Sequence, residues 1–220
     1  MSRQSQNQIR AVISGTGADL PEKVLTNSDL EQMVDTESDW IVQRTGIAER
    51  RIAEQDTSTS DLAANAARRA LKSAQIDPLD IELIVVCTAT PDMSFPSTAC
   101  VVQMKIGAKN AHAFDLSAAC SGFVYGLDLA DGMIKSGRYK TILVIGAETF
   151  SRIVNWTDRS TCILFGDGAG AAIVQASIED RGIIASYCGA DGAYADTELL
   201  AVPAGGSTLP VTAENVKKQL

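Results

Sequence analysis

Apolar residues follow two different periodicities along the chain. Residues 81–88 and 141–148 are nearly continuous apolar segments of strand length, which is typical of strands buried on both faces of a sheet. Ahead of them, Leu62, Ala66 and Ala70 recur at every fourth position and predict one face of a helix over residues 59–74. Strands that alternate with helices in this way predict a layered α/β protein.

The other predicted elements extend this alternation. Further strands are predicted over residues 9–17, 111–116, 168–176 and 182–187. Further helices are predicted over residues 96–106 and 120–135, with short ones from Thr26 or Ser28 to Val34 and around Trp40 up to Gly46. The N-cap candidates of the long helix are Ser58, Thr59 and Ser60. Because the last two strands follow one another without a helix, the sheet is expected to be mixed.

Charge and apolar run lengths exclude several classes of partner. The 220 residues carry 19 basic and 27 acidic side chains, and no Lys/Arg cluster resembles a phosphate-binding surface. Nucleic acid is therefore not an expected partner. No apolar run is long enough to cross a bilayer, and the N-terminal segment MSRQSQNQIR lacks an apolar signal core. A cytoplasmic protein with no membrane partner is expected.

The five cysteines, at positions 87, 100, 120, 162 and 188, do not form a framework. Their number is odd and they include no CxxC pair, which argues against both disulfides and a zinc site. Most of them are expected to be reduced, buried small side chains, and no metal is expected.

Cys120 has a different setting. In the segment DLSAACSGFVYG, residues 115–126, a predicted buried strand ends, small residues form a turn, and Cys120 opens a predicted helix. The unpaired N–H groups and positive dipole at a helix N-terminus stabilise a thiolate, which can attack a thioester carbonyl and hold the acyl group. The spacing alone leaves open a buried structural cysteine at a strand–helix junction.

Three other features resemble functional motifs only superficially. Gly15-Thr-Gly17 follows a strand as in a dinucleotide-binding fingerprint, but Leu20 and Pro21 follow and no helix is predicted there. Residues 166–170, GDGAG, lead into a strand rather than a helix, which is wrong for a phosphate-binding loop. The single histidine, His112, lies on the strand before Cys120, and a structural or surface role is expected for it.

Five segments in order resemble one known family. They are residues 15–31, 35–51, 96–107, 115–126 and 157–174, within a resemblance that covers nearly all of residues 10–203. They are similar to motifs of the β-ketoacyl-acyl-carrier-protein synthase III family, which are condensing enzymes of the thiolase superfamily. The resemblance implies a thiolase-like fold, a layered α/β structure with a mixed sheet.

The resemblance also implies a two-step reaction. Cys120 would accept an acyl group from acyl-coenzyme A and condense it with malonyl-acyl carrier protein, whose decarboxylation supplies the carbanion that starts fatty-acid synthesis. Both thioesters are substrates, and no cofactor is implied. A homodimer is the implied assembly.

Other site residues are matched by position. Trp40, Arg44 and Arg159 correspond to family positions around the coenzyme A nucleotide, where an indole and a guanidinium can enclose an adenine. Thr36 would add a polar contact, and Phe95 corresponds to a residue that reaches across the dimer interface into the partner's acyl pocket. The residues themselves leave open a packing role for Trp40 and Phe95 and a solvated charge for either arginine.

The family completes its site with a His and an Asn from the second half of a duplicated fold. Neither the His-Gln-Ala-Asn-like stretch nor the Asn-Thr-Ser-like stretch that carries them occurs in these 220 residues. The expectation is that residues 1–203 form the first thiolase-like half with the nucleophile, and that residues 204–220 are a loop leading toward the other half. Whether this chain condenses substrates alone is left open.

Two alternatives remain at this stage. One is a related thiolase-superfamily synthase that makes a polyketide, quinolone or ketone product, since the motif around Cys120 is shared. The other is a truncated, non-catalytic half that only dimerises or binds coenzyme A, which the missing His and Asn favour.

Overall fold

A computed structural model describes residues 9–194. The strands are β1 (Arg10–Asp19), β2 (Val24–Thr26), β3 (Glu49–Arg51), β4 (Leu83–Cys87), β5 (His112–Leu116), β6 (Thr141–Thr149) and β7 (Asp167–Ser177). The helices are α1 (Asn27–Glu31), α2 (Ser38–Thr45), α3 (Thr59–Ala74), α4 (Thr98–Ile106), α5 (Gly122–Lys135) and α6 (Arg159–Cys162). All of them belong to one compact unit that ends at Ser186.

A second unit begins at Tyr187, and its described part carries a 3-10 turn at Gly192–Tyr194. The predicted boundary between residues 203 and 204 lies outside the described residues.

The main sheet has the strand order β1-β7-β6-β4-β5. Strand β4 pairs in parallel with both β5 and β6, whereas β7 is antiparallel to β6 and to β1. This confirms the mixed sheet. Strands β2 and β3 form a separate two-stranded sheet that the hydrophobic pattern did not predict.

The predicted strand over residues 182–187 is wrong. Gly182 has a φ of 135°, and a methyl group there would lie 2.4 Å from the carbonyl oxygen of Ala11. Only Ile183 N–H donates to β1, at 2.9 Å from Ala11 O. Because the chain leaves the extended region at Gly182, the hydrogen-bond ladder does not continue.

Burial on both faces of the sheet explains why the two central strands, β4 and β6, have continuous apolar sequences. Successive side chains point to opposite faces of a sheet. In β4, Ile84 and Val86 join the cluster formed with α3 and α4, whereas Leu83 and Val85 join the cluster formed with α5. Both faces are covered by helices, so every side chain of β4 is buried.

Helix α3 packs closely on β1 because two glycines leave room for it. A methyl group at Gly15 would lie 2.5 Å from Ala74 N, and one at Gly17 would lie 2.3 Å from Ala66 O. The Gly15-Thr-Gly17 segment is therefore a helix-packing feature rather than a nucleotide-binding turn.

The helix ends agree with most of the sequence signals. Ser58 caps α3 and forms a capping box with Asp61, and Thr26 caps α1 in the same way with Asp29. Helix α1 ends at Glu31, three residues before the predicted Val34. No helix in the described part of the chain combines the length and apolarity needed to cross a membrane.

Candidate active site

Cys120 lies exposed in a 3-10 turn, Ala119–Ser121, between the end of β5 and the start of α5. The α-helix therefore begins at Gly122, two residues after the predicted start at Cys120. Ala119 has a φ of 45°, a conformation that residues other than glycine rarely adopt. This strained residue directly precedes the thiol, and such outliers concentrate at functional sites.

Two glycines hold α5 close to the sheet beneath Cys120. A methyl group at Gly122 would lie 3.1 Å from Cys87 Cβ. One at Gly126, the next turn of the helix, would lie 2.8 Å from Val144 Cγ1 and 2.9 Å from Cys87 Sγ. Because the helix approaches this closely, its N-terminal end and Cys120 lie at the carboxyl ends of the parallel strands β4, β5 and β6.

A cavity of about 300 Å³ opens in front of Cys120. Small residues of β6 and β7 form much of its wall: Gly146, Ala147, Gly168, Ala169 and Gly170. The glycine-rich segment 166–170 thus runs into β7 and leaves space beside the thiol. This agrees with the expectation that the segment leads into a strand and is not a phosphate-binding loop.

Glu148, near the end of β6, lines the same cavity, and sequence reasoning missed it. Its carboxylate accepts hydrogen bonds from Ala89 N at 2.8 Å and Thr90 Oγ1 at 2.5 Å. Burial raises the pKa of Glu148, although these hydrogen bonds oppose the shift. The carboxylate fixes the loop after β4 to the end of β6. A single acidic residue closing an apolar run was the signal that could have revealed it.

Cys87 also lines the cavity but is not equivalent to Cys120. It is buried, and its burial, with the charges of Asp115 and Glu148, raises the pKa of its thiol to about 12. The thiol therefore stays protonated at neutral pH, which leaves Cys120 as the candidate nucleophile of this cavity.

Asp115 ties the turn before Cys120 to helix α4. Its two carboxylate oxygens accept hydrogen bonds from Thr98 N and Ala99 N, both at 2.7 Å. A carboxylate on the first N–H groups of a helix is a favourable charge–dipole contact. The loop that leads into this helix carries Phe95, whose exposed fraction is 87%, so core packing does not explain Phe95 in this chain.

A second pocket, of about 220 Å³, gathers the residues predicted to surround a nucleotide. It is lined by Asp35, Thr36, Glu37, Trp40 and Arg159. The Cζ atoms of Arg159 and Arg44 lie 4.7 and 5.8 Å from the Trp40 ring centroid. The structure therefore places Thr36, Trp40 and Arg159 at one pocket, with Arg44 beside the Trp40 ring but outside the pocket lining.

Two details of this pocket bear on ligand binding. Thr36 Oγ1 is buried and has no hydrogen-bond partner among the described residues. Arg159 already stacks on Trp40, whereas a planar base between them requires a spacing of about 7 Å. A base that enters between them must therefore displace Arg159, which also donates a 2.7 Å hydrogen bond to Asp35 O.

His112 does not pair with Cys120. It is exposed at the start of β5, whereas Cys120 follows the end of that strand, and its ring centroid lies 6.3 Å from that of Tyr139. This placement agrees with the expected surface or structural role.

The other cysteines depart in part from expectation. Cys162 is buried like Cys87, but Cys100 and Cys188 are exposed, and Cys100 lies in the first turn of α4. In the described part of the chain, no group of three His, Cys, Asp or Glu residues is arranged to hold a metal.

Comparisons with known proteins agree with the motifs. Residues 114–192, which include Cys120, match the family model of 3-oxoacyl-[acyl-carrier-protein] synthase III. The chain is 56% identical to a β-ketoacyl-[acyl-carrier-protein] synthase III of Caldanaerobacter subterraneus over 97% of its own length. It spans 64% of the length of that relative.

Solved structures agree in fold. The 3-oxoacyl-[acyl-carrier-protein] synthase III of Aquifex aeolicus matches with a TM-score of 0.75 and 56% identity, covering 77% of this chain and 55% of its own. The priming β-ketosynthase of the R1128 polyketide pathway matches with a TM-score of 0.75 and 39% identity, covering 77% and 51%. The thiolase-like fold implied by the motifs is confirmed.

Alkylation should separate the cysteines. At about pH 8, iodoacetamide should modify Cys120 while Cys87 and Cys162 stay unmodified, because burial raises the pKa of both thiols and shields them. Peptide mapping by mass spectrometry measures this, with the exposed Cys100 as the internal reference for accessibility. Modification of Cys87 as fast as Cys120 in the folded protein would contradict the assignment.

Proposed function

Since the chain belongs to the 3-oxoacyl-[acyl-carrier-protein] synthase III family, we propose that Cys120 accepts an acyl group from acyl-coenzyme A for condensation with malonyl-acyl carrier protein. The observation that carries this proposal is the exposed thiol at a strand–helix junction, facing a cavity walled by small residues. The product would be a β-ketoacyl-acyl carrier protein that starts fatty-acid synthesis.

The chemistry requires a thiolate, a space for the acyl group and a way to hold the thioester. The Cys120 thiolate attacks the thioester carbonyl, the carbon–sulfur bond to coenzyme A breaks, and coenzyme A leaves as its thiol after taking up a proton. The positive end of the α5 helix dipole favours negative charge at this point.

Condensation is a second step of the whole protein. Decarboxylation of the malonyl thioester releases carbon dioxide and forms a carbanion, which attacks the acyl-cysteine and frees the Cys120 thiolate. In the family a His and an Asn assist this step. We assign only the acyl-accepting role to Cys120 and do not give the role of that His to His112, which lies at the opposite end of β5.

The second pocket would hold the coenzyme A nucleotide. Trp40 and Arg159 would enclose the adenine, Arg44 would pair with a phosphate, and the unpartnered Thr36 Oγ1 would gain a hydrogen bond. Supporting this are the Arg159 guanidinium that lines the pocket and the second guanidinium, of Arg44, within 5.8 Å of the Trp40 ring centroid.

A homodimer through the β5 side of the sheet completes the proposal. Strand β5 is an edge of the described sheet, and unpaired edges are ready sites for pairing with another strand. Phe95 and Met104 on the adjoining loop and helix α4 are exposed, as is Phe114 on β5 in part. A second copy would cover these apolar side chains, and Phe95 would reach the acyl pocket of that copy.

A polyketide-priming synthase is the second candidate, because the R1128 priming β-ketosynthase shares the fold at 39% identity. The range of acyl-coenzyme A primers that yield product separates the two.

Two further expectations concern cofactors and location. The protein should need no cofactor besides its thioester substrates, so activity should survive dialysis against a chelator. It should also be cytoplasmic, which cell fractionation measures.

Replacing Cys120 tests the proposed nucleophile. With labelled acetyl-coenzyme A and malonyl-acyl carrier protein, Cys120→Ala should form no acyl-enzyme and no condensed product. The matched control is Cys100→Ala, an exposed cysteine in the first turn of another helix, which should retain both. Product formation by Cys120→Ala would refute the assignment. Binding of acetyl-coenzyme A by the unaltered protein without any acylation would favour the coenzyme A-binding alternative.

Substitutions in the second pocket should weaken binding rather than chemistry. Trp40→Ala or Arg159→Ala should raise KM for acyl-coenzyme A by about 5- to 30-fold, since each removes ~1–2 kcal/mol of stacking or pairing. Arg68→Ala, an exposed arginine on α3 outside the pocket, is the control. A collapse of kcat at unchanged KM would show that these residues act in the chemistry instead.

Sedimentation velocity measures the proposed assembly. Phe114→Lys places a charge on the β5 edge and should shift the protein toward monomer. Ile13→Lys, which alters another exposed apolar side chain on β1, the opposite edge of the sheet, should leave the dimer intact. A monomeric unaltered protein, or equal effects of the two substitutions, would rule out this interface.

A further inference from the structure

Arg50, in β3, is a buried guanidinium held only by neutral acceptors. Its exposed fraction is 4%, and no ion pair found among residues 9–194 includes it. Nη1 donates to Asn27 Oδ1 at 2.5 Å, while Nε and Nη2 donate to the carbonyl oxygen of Ile163 at 3.1 and 2.5 Å. Burial lowers the pKa of Arg50, which shows that its charge is costly to keep there.

The two acceptors belong to the elements that carry the nucleotide pocket. Asn27 is the first residue of α1, and its Nδ2 donates to Ile47 O just after α2, the helix that carries Trp40. Ile163 is the C-cap of α6, whose first residue is Arg159. A single side chain, that of Arg50, thus joins the Trp40 side of the pocket to the Arg159 side. Its contact on the Arg159 side, Ile163, is 113 residues from Arg50 in sequence.

Helix α6 depends on contacts of this kind. It has four residues, far fewer than a helix needs to be stable by itself. Asp158 caps its first turn, and Arg50 donates hydrogen bonds to the carbonyl oxygen of the C-cap residue, Ile163, at the other end. Loss of these hydrogen bonds would allow α6 to shift and would separate Arg159 from the Trp40 ring.

We propose that Arg50 is a positioning residue for nucleotide binding, holding α6 against α1 and α2 so that Arg159 meets Trp40. Arg50 lines neither the cavity at Cys120 nor the nucleotide pocket. This inference rests on the proposed function, because it concerns the same pocket. It predicts a defect confined to donors that carry the nucleotide.

Arg50→Lys is the sharpest test, because lysine keeps the charge but cannot make the forked contact with Ile163 O and Asn27 together. The rate of Cys120 acylation is measured by intact mass with two donors, acetyl-coenzyme A and acetyl-pantetheine, which lacks the nucleotide. The ratio of the two second-order rate constants should fall about tenfold in Arg50→Lys. Arg51→Lys is the control, since the neighbouring Arg51 is partly exposed and pairs with Glu49 at 3.1 Å.

If Arg50→Lys does not fold, a milder variant tests the same proposal. Asn27→Ala removes one of the three Arg50 contacts and should lower the same ratio by a smaller factor. Equal ratios in the unaltered protein and both variants, or parallel losses with both donors, would overturn the positioning role. An unaltered protein that neither donor acylates would refute the proposed function itself.

Discussion

The close approach of α5 to the sheet determines where chemistry can occur in this molecule. A methyl group at Gly126 would collide with Val144 and Cys87, and one at Gly122 would be in tight contact with Cys87, so glycine at both positions lets the start of the helix lie at the carboxyl ends of the parallel strands. Cys120 gains exposure, helix-terminal N–H groups and an adjacent cavity from this one contact. Larger residues at either glycine would push the helix, and the turn that carries the thiol, away from the sheet.

The site is built from two kinds of structure. The cavity at Cys120 is formed by long strands and a four-turn helix that pack together in one apolar cluster. The proposed nucleotide pocket is formed by short elements, α1, α2, β3 and α6, held by a small cluster of Leu30, Ile41, Cys162 and Ile163 and by polar contacts.

Sequence reasoning succeeded where burial and periodicity agree. The continuous apolar runs predicted β4 and β6 because both faces of these strands are covered. Ser58, one of the three predicted N-cap candidates, is the actual cap, and it forms a capping box with Asp61. The motif around Cys120 predicted the thiol that lies exposed beside the larger cavity. The pocket residues Trp40 and Arg159 came from resemblance, since nothing in their local sequence shows that they meet.

The failures have identifiable causes. Strands β2 and β3 and helix α6 are three or four residues long, so long-range contacts such as that of Arg50 with Ile163 determine them rather than local propensity. Gly182 ended a predicted strand through its backbone angle, and Ala119 at positive φ delayed the start of α5. Glu148 resembled an ordinary strand end until its buried acceptor role was visible.

If one acyl-coenzyme A molecule occupies both pockets, a crystal structure of the protein with coenzyme A bound should show this. We expect the adenine between Trp40 and a displaced Arg159, with the pantetheine thiol in the cavity beside Cys120. A nucleotide bound elsewhere, or a pantetheine arm that ends away from Cys120, would contradict it.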